Sequence, residues 1–172
     1  MMFRRGVTIG VMVIFAAAIA PAQPGARPDL TSLRFLLGDW TAVDTPAGES
    51  GGFTFSLAVQ DRIMTRTNFA NYTARDGRPA SRHDDFMIIY AEGGELKADY
   101  FDSEQHVIRY VVQPRSDHEV VFASEAKPSE PRYRLRYTAR SDGTLAGQFE
   151  VASPGQPDAF KPYLSWTARK RR

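Results

Sequence analysis

The chain has 172 residues, no cysteine and a formal net charge of +2. That length allows one domain with a single core. The missing thiol excludes disulfides, lipid attachment at a processed cysteine, and thiol-based catalysis or metal binding. Removing Met1–Ala22 takes away Arg4 and Arg5 and no acidic residue, leaving 20 basic residues against 20 acidic ones. So even a balance lacks the basic footprint of a nucleic-acid binder.

In chain order, Arg4 and Arg5 precede an apolar run from Val7 to Ala20, and Ala20-Pro21-Ala22 offers small residues for a signal peptidase. This is the three-part pattern of a secretory signal, which predicts an exported protein, periplasmic or secreted. The run is short for a membrane span and has no charged stop after it, so the mature chain is expected to carry no span. The paired arginines hint at twin-arginine export, but Phe3 stands where that signal prefers Ser or Thr, and ordinary export is the reading kept. Residues 23–28 form a Pro/Gly-rich leader, and 29–172 are expected to form the folded domain.

Asp29 or Thr31 can cap a short helix, with Leu33, Leu36 and Leu37 at helical spacing. Gly38 suits the left-handed position that stops it, and Trp40, Thr41 and Val43 open the first strand. Phe53, Phe55, Leu57 and Val59 alternate with polar or small residues after a loop at 45–52. Strands follow at 63–72, at the continuously apolar 86–90 with both faces expected to be covered, at 96–101, 106–112 and 119–124. In the next, Tyr133, Leu135 and Tyr137 face one way and Arg132, Arg134 and Arg136 the other. Residues 145–152 and 160–168 complete the series, and Gly93-Gly94 and Asp142-Gly143 are turn signals. About ten short strands with short connections and no long helix predict an all-β, antiparallel up-and-down barrel with a short N-terminal helix. Closure removes exposed edges, which favours a barrel over a sandwich. Arg169-Lys170-Arg171-Arg172 reads as a solvated terminus.

Gly38-Asp39-Trp40, preceded by Leu33-Arg34-Phe35-Leu36-Leu37, resembles the Gly-x-Trp that opens the first strand of lipocalin-like (calycin) barrels. Tyr100 to Ile108 resembles a hairpin in uncharacterised families of that kind. The resemblance implies a barrel whose base is stoppered by the tryptophan, with Gly38 and Trp40 as structural residues. It also implies a basic residue from the end of the last strand packed across that ring. Arg169 or Lys170 would take this role, and Arg169 is the first choice. Nitric-oxide-binding haem barrels share the layout but carry a longer Gly-x-Trp-x-Gly-x-Gly. Here Thr41-Ala42-Val43 follows Trp40, so haem is disfavoured and no cofactor is expected.

Three histidines are available. His83 and Asp85 can share a strand face while Asp84 cannot, but two ligands do not make a catalytic zinc site, and a solvated strand start explains them. His106 is in phase with Ile108, Tyr110 and Val112, which would put it on the inner face at the barrel mouth beside Tyr100. There it could meet a ligand, although a half-solvated turn histidine is the plainer explanation. His118 sits at a turn without a visible partner. Asp99 and Asp102 could be drawn as an acid–base pair, but Asp99 is out of phase with the apolar face of its strand. No glycine-rich phosphate loop opening a helix occurs.

Three functions remain, in order of preference. The first is an exported lipocalin-like protein binding a small apolar or aromatic molecule. Phe55, Tyr100, Tyr110, Leu135, Tyr137 and Phe149 would line the pocket, and Arg66 and His106 would give polar contacts. The second is an envelope interaction or structural module with a filled barrel. The third is an enzyme using His106 at the mouth.

Overall fold

A computed structural model describes residues 29–171, so the signal, its cleavage site and the leader lie outside the described residues. A short 3₁₀ helix, Thr31–Leu36, precedes ten strands: β1 Gly38–Val43, β2 Glu49–Ala58, β3 Ile63–Tyr72, β4 Ser81–Glu92, β5 Glu95–Asp102, β6 Val107–Pro114, β7 Glu119–Ser124, β8 Arg132–Ala139, β9 Thr144–Ala152 and β10 Lys161–Lys170. Each pairs antiparallel with its chain neighbours, and β1 pairs with β10 to close the barrel. The all-β, up-and-down barrel is therefore the observed architecture. No helix among the described residues is long and apolar enough to cross a membrane.

The helix lies at the end where β1 begins, so odd strands run away from it and even strands run back. Three residues per turn put Leu30, Leu33 and Leu36 in one row, and all three are buried, whereas Leu37 is only partly covered. An α-helical spacing had grouped Leu37 with them; the tighter helix explains the difference. Asp29 does accept from the Thr31 N–H, at 3.0 Å. Gly38 has φ +113, a backbone that requires glycine, and the end of the Lys170 side chain lies over it.

Trp40 is buried, and its indole N–H donates to the Leu36 carbonyl at 2.7 Å, tying strand to helix. Lys170 places its ammonium 5.6 Å from the centre of that ring. Arg169 is one residue out of phase and points outward, so Lys170 replaces it as the basic partner of Trp40.

Inward positions recur every second residue, as the pleat demands. Phe53, Phe55, Phe122 and Tyr137 meet one another with centroids 5.5–6.3 Å apart, mostly edge to face. Met64, Met87, Ile89 and Leu145 are fully buried around them. This half of the barrel is filled. Gly147 lies between its register partners Tyr137 and Trp166, and a Cβ there would stand 2.0 Å from the indole. The glycine is the space that the Trp166 ring occupies.

Several expected boundaries shift. β2 starts at Glu49 inside the expected loop, because Gly51 and Gly52 allow close backbone approach to Phe69 and Trp40. In β4 only Met87 and Ile89 of the apolar run are buried, while Phe86 on the outer face is 37% exposed. The outer face is therefore not covered there as expected.

Candidate functional site

The end of the barrel away from the helix carries polar residues in inward positions. On β3, Arg66 and Asn68 continue the phase of Met64; on β4, His83 and Asp85 continue that of Met87; on β5, Tyr100 and Asp102 continue that of Leu96 and Ala98. Register makes Asn68 and Asp102 the two neighbours of Asp85. The sheet itself assembles the cluster.

Asp85 is its buried centre, with a side chain only 4% exposed. Its Oδ2 accepts from the Asn68 amide at 2.7 Å and lies 3.5 Å from His83 Nε2. Its Oδ1 is within ion-pair reach of Arg66 at 3.1 Å but off the hydrogen-bond line, so the oxygen has no hydrogen-bond partner. Arg66 Nε and the Tyr137 hydroxyl are likewise buried and unpartnered. Arg66 is held between the rings of Phe53 and Tyr137, at 5.7 and 5.8 Å from their centres.

Nearer the rim, Tyr100 Oη sits 3.4 Å from His83 Nε2 and donates to Asp102 at 3.3 Å. Burial and the two neighbouring carboxylates push its phenol well above the usual range. Asp102 Oδ1 accepts from the N–H groups of Glu104 and His106, both at 2.9 Å, and Oδ2 meets His106 Nδ1 at 2.9 Å. Burial raises the Asp102 carboxyl, but the hydrogen bonds from His106 and Glu104 outweigh it and hold the group below the ordinary carboxylate range. Glu104 reaches back to His83 Nδ1 at 3.3 Å.

The opposite wall is aromatic. Tyr133 stacks on Phe149 at 5.9 Å and 10°, and Phe149 meets Tyr163 edge-on at 6.1 Å. Tyr163 is a bulged residue between Pro162 and Leu164, and Leu164 beside it is 51% exposed although it pairs with inward Phe149. The rim thus joins hydrogen-bonding groups on β3–β5 to accessible rings on β8–β10. Outside that wall, the Phe160 ring packs under the guanidinium groups of Arg132 and Arg134.

Of the eight residues expected to line a pocket, Tyr100 and Phe149 face this open end and His106 stands on its rim. Phe55, Tyr110, Leu135 and Tyr137 are covered within the filled core, and Arg66 lies at the boundary between the two. Asn68 and Glu104 escaped the sequence reading, His83 and Asp85 are assigned there to a solvated strand start, and Asp102 appears only as a discounted partner of Asp99. Their signal was parity: Asp102 is two residues beyond Tyr100 on the same face, although it reads as the first residue of a turn. Asp99, by contrast, faces outward and accepts from Tyr90 Oη at 3.1 Å, as its phase indicated.

A concavity of about 470 Å³ lies elsewhere, on the outer wall between the β1–β2 loop and β8–β10, lined by Arg136, Thr138, Arg140, Gln148 and Thr167 among others. Its side chains are partly solvated, and Arg136 is paired with Glu119 at 3.1 Å. Burial of unbalanced charge at the open end makes that the stronger candidate. No protein-family model matches the chain, and no curated protein matches it.

Proposed function

We propose that the chain is an exported lipocalin-like protein that binds a small apolar or aromatic molecule across the open end of its barrel. The observation that carries this reading is the split rim: accessible Tyr133, Phe149 and Tyr163 rings face a hydrogen-bonding wall of His83, Tyr100 and Asp102. Rings held in place by stacking offer contact area at little further entropic cost, and a few polar groups then fix orientation. Export rests on the Arg4-Arg5 and Val7–Ala20 pattern. The ligand would lie in the upper third of the barrel, because the lower part is occupied by side chains.

Titration with 1-aminoanthracene, followed by its fluorescence in the presence of a chelator, tests this. Saturable binding is expected, weakened about tenfold by Phe149→Ala, which removes a stacked ring. A second reading, a surface-acting envelope module, draws support from the same filled core. Absence of saturable binding, or identical binding by Phe149→Ala, would overturn the first reading in favour of the second.

A further inference from the structure

We infer that the rim of the open end is a binding site for a divalent transition-metal ion, with His83, Asp102 and Glu104 as its ligands. One donor atom from each of these residues lies within 4.8 Å of the others. Donors around a tetrahedral zinc ion with bonds of about 2.1 Å stand about 3.4 Å apart. His83 Nδ1 and Glu104 Oε1 already stand 3.3 Å apart, and the Glu104 side chain, 63% exposed on the β5–β6 turn, is free to adjust.

Three features set this group apart from a chance cluster of acids. First, the histidine is oriented from behind. His83 Nε2 faces the Asp85 carboxylate at 3.5 Å and the Tyr100 hydroxyl at 3.4 Å, which leaves Nδ1 directed at Glu104. A hydrogen-bonding group behind a histidine orients the ring as a ligand; here the Tyr100 hydroxyl takes that place, with the Asp85 carboxylate beside it. Asp85 is 4% exposed and still has one oxygen without a hydrogen-bond partner.

Second, Asp102 is fixed as firmly. Two backbone N–H groups hold its Oδ1, and the His106 ring at 2.9 Å holds Oδ2. Its side chain is only 5% exposed. His106 thus acts as a positioning residue for the carboxylate.

Third, the carboxylates outnumber the fixed cations. Asp85 and Asp102 are register partners on neighbouring strands and Glu104 adds a third carboxylate, against the guanidinium of Arg66 and the imidazoles of His83 and His106. Outside the cluster, Arg82 is engaged by Asp84 at 2.7 Å on the outer face. The two buried carboxylates, Asp85 and Asp102, are stabilised by a nearby cation, and one imidazole with two carboxylates suits zinc or manganese. Three protein ligands leave positions open toward the aromatic wall, as in catalytic rather than structural metal sites.

Calorimetric titration of the chelator-treated chain with zinc chloride tests the assignment, alongside melting curves with and without the ion. One ion per chain is expected, with a raised melting temperature. Glu104→Gln, exposed and neutral to folding, should weaken binding at least tenfold, and His83→Ala should abolish it. His106→Gln and Asp85→Asn should retain the stoichiometry and lose about tenfold to a hundredfold in affinity. Asp84→Asn, on the outer face, and His118→Ala, at the far end, should bind as the parent does. Absence of binding, binding unchanged in Glu104→Gln, or binding lost in His118→Ala would each overturn the proposal. Failure of the aromatic probe to bind leaves these outcomes unaffected.

Discussion

The two ends of the barrel are built on one pleat and solve different problems with it. At the helix end, Leu33 and Leu36 of the helix pack over inward Trp40 and Ala168, all four buried, and the Trp40 indole hydrogen-bonds the Leu36 carbonyl. At the other end, inward positions on β3–β5 hold Arg66, Asn68, His83, Asp85, Tyr100 and Asp102, joined by hydrogen bonds and short ionic contacts. The first arrangement excludes water and sets stability. The second leaves orphaned polar atoms and excess negative charge, and so suits binding. The filled core between them lets the open end carry this polarity without unfolding the rest.

The sharpest way to break this contrast is to remove a ring from each end. Trp40→Ala should cost about 3–5 kcal/mol, because it opens a cavity and frees the Leu36 carbonyl. Tyr163→Ala, at a residue 70% exposed, should stay within about 0.5 kcal/mol. Urea melts of the two variants check this, and equal losses would undo the division of labour. Next in size is Gly147→Ala. Its added methyl meets the Trp166 indole and should destabilise by about 1–3 kcal/mol, with a change in tryptophan fluorescence as the ring shifts.

Glu150→Gln probes a charge pair on the outer wall near the open end. Glu150 accepts from Arg134 Nη2 at 2.9 Å, and its side chain is 8% exposed. The hydrogen bonds from Arg134 outweigh burial and lower the carboxyl from its ordinary value. A lowered folded-state value means stability that is present above the unfolded value, about 4.3, and lost as pH falls through the folded one. The substitution should therefore cost about 1–2 kcal/mol at pH 7, and the difference should fade as the pH drops below about 4. Melting curves over pH 3–7 measure it. A difference that grows in acid would contradict the sign. The smallest effect separates the two basic residues at the stoppered end. Lys170→Ala should lose about 0.5–1 kcal/mol of cation–ring contact, and Arg169→Ala should be neutral within about 0.5 kcal/mol.

Legibility followed polarity. Where inward residues are apolar, alternation reveals the strand, as in Phe53-Phe55-Leu57 and Tyr133-Leu135-Tyr137, and ten strands and closure follow from the turns between them. Where inward residues are charged, the same alternation is read as solvation. Alternation puts His83 and Asp85 on one face and suggests solvation, because nothing local reveals that Asn68 and Asp102 flank Asp85 across two strand pairings. Asp102 falls just past the predicted strand 96–101, although its carboxylate organises the following turn from the inner face. Register is a long-range property, and the cluster is a product of register. The choice of Lys170 over Arg169 hinged on a single residue of phase.

The short first strand has a further effect. β1 stops at Val43 opposite Thr167, whereas β10 continues up to Lys161 with no strand beside it on that flank. The cylinder therefore has a notch in its lip, next to the ring of Tyr163. A molecule lodged there need not fit the bore lengthwise. On the ligand-binding function proposed above, one end could rest against the imidazole and carboxylates while the other projects sideways into solvent.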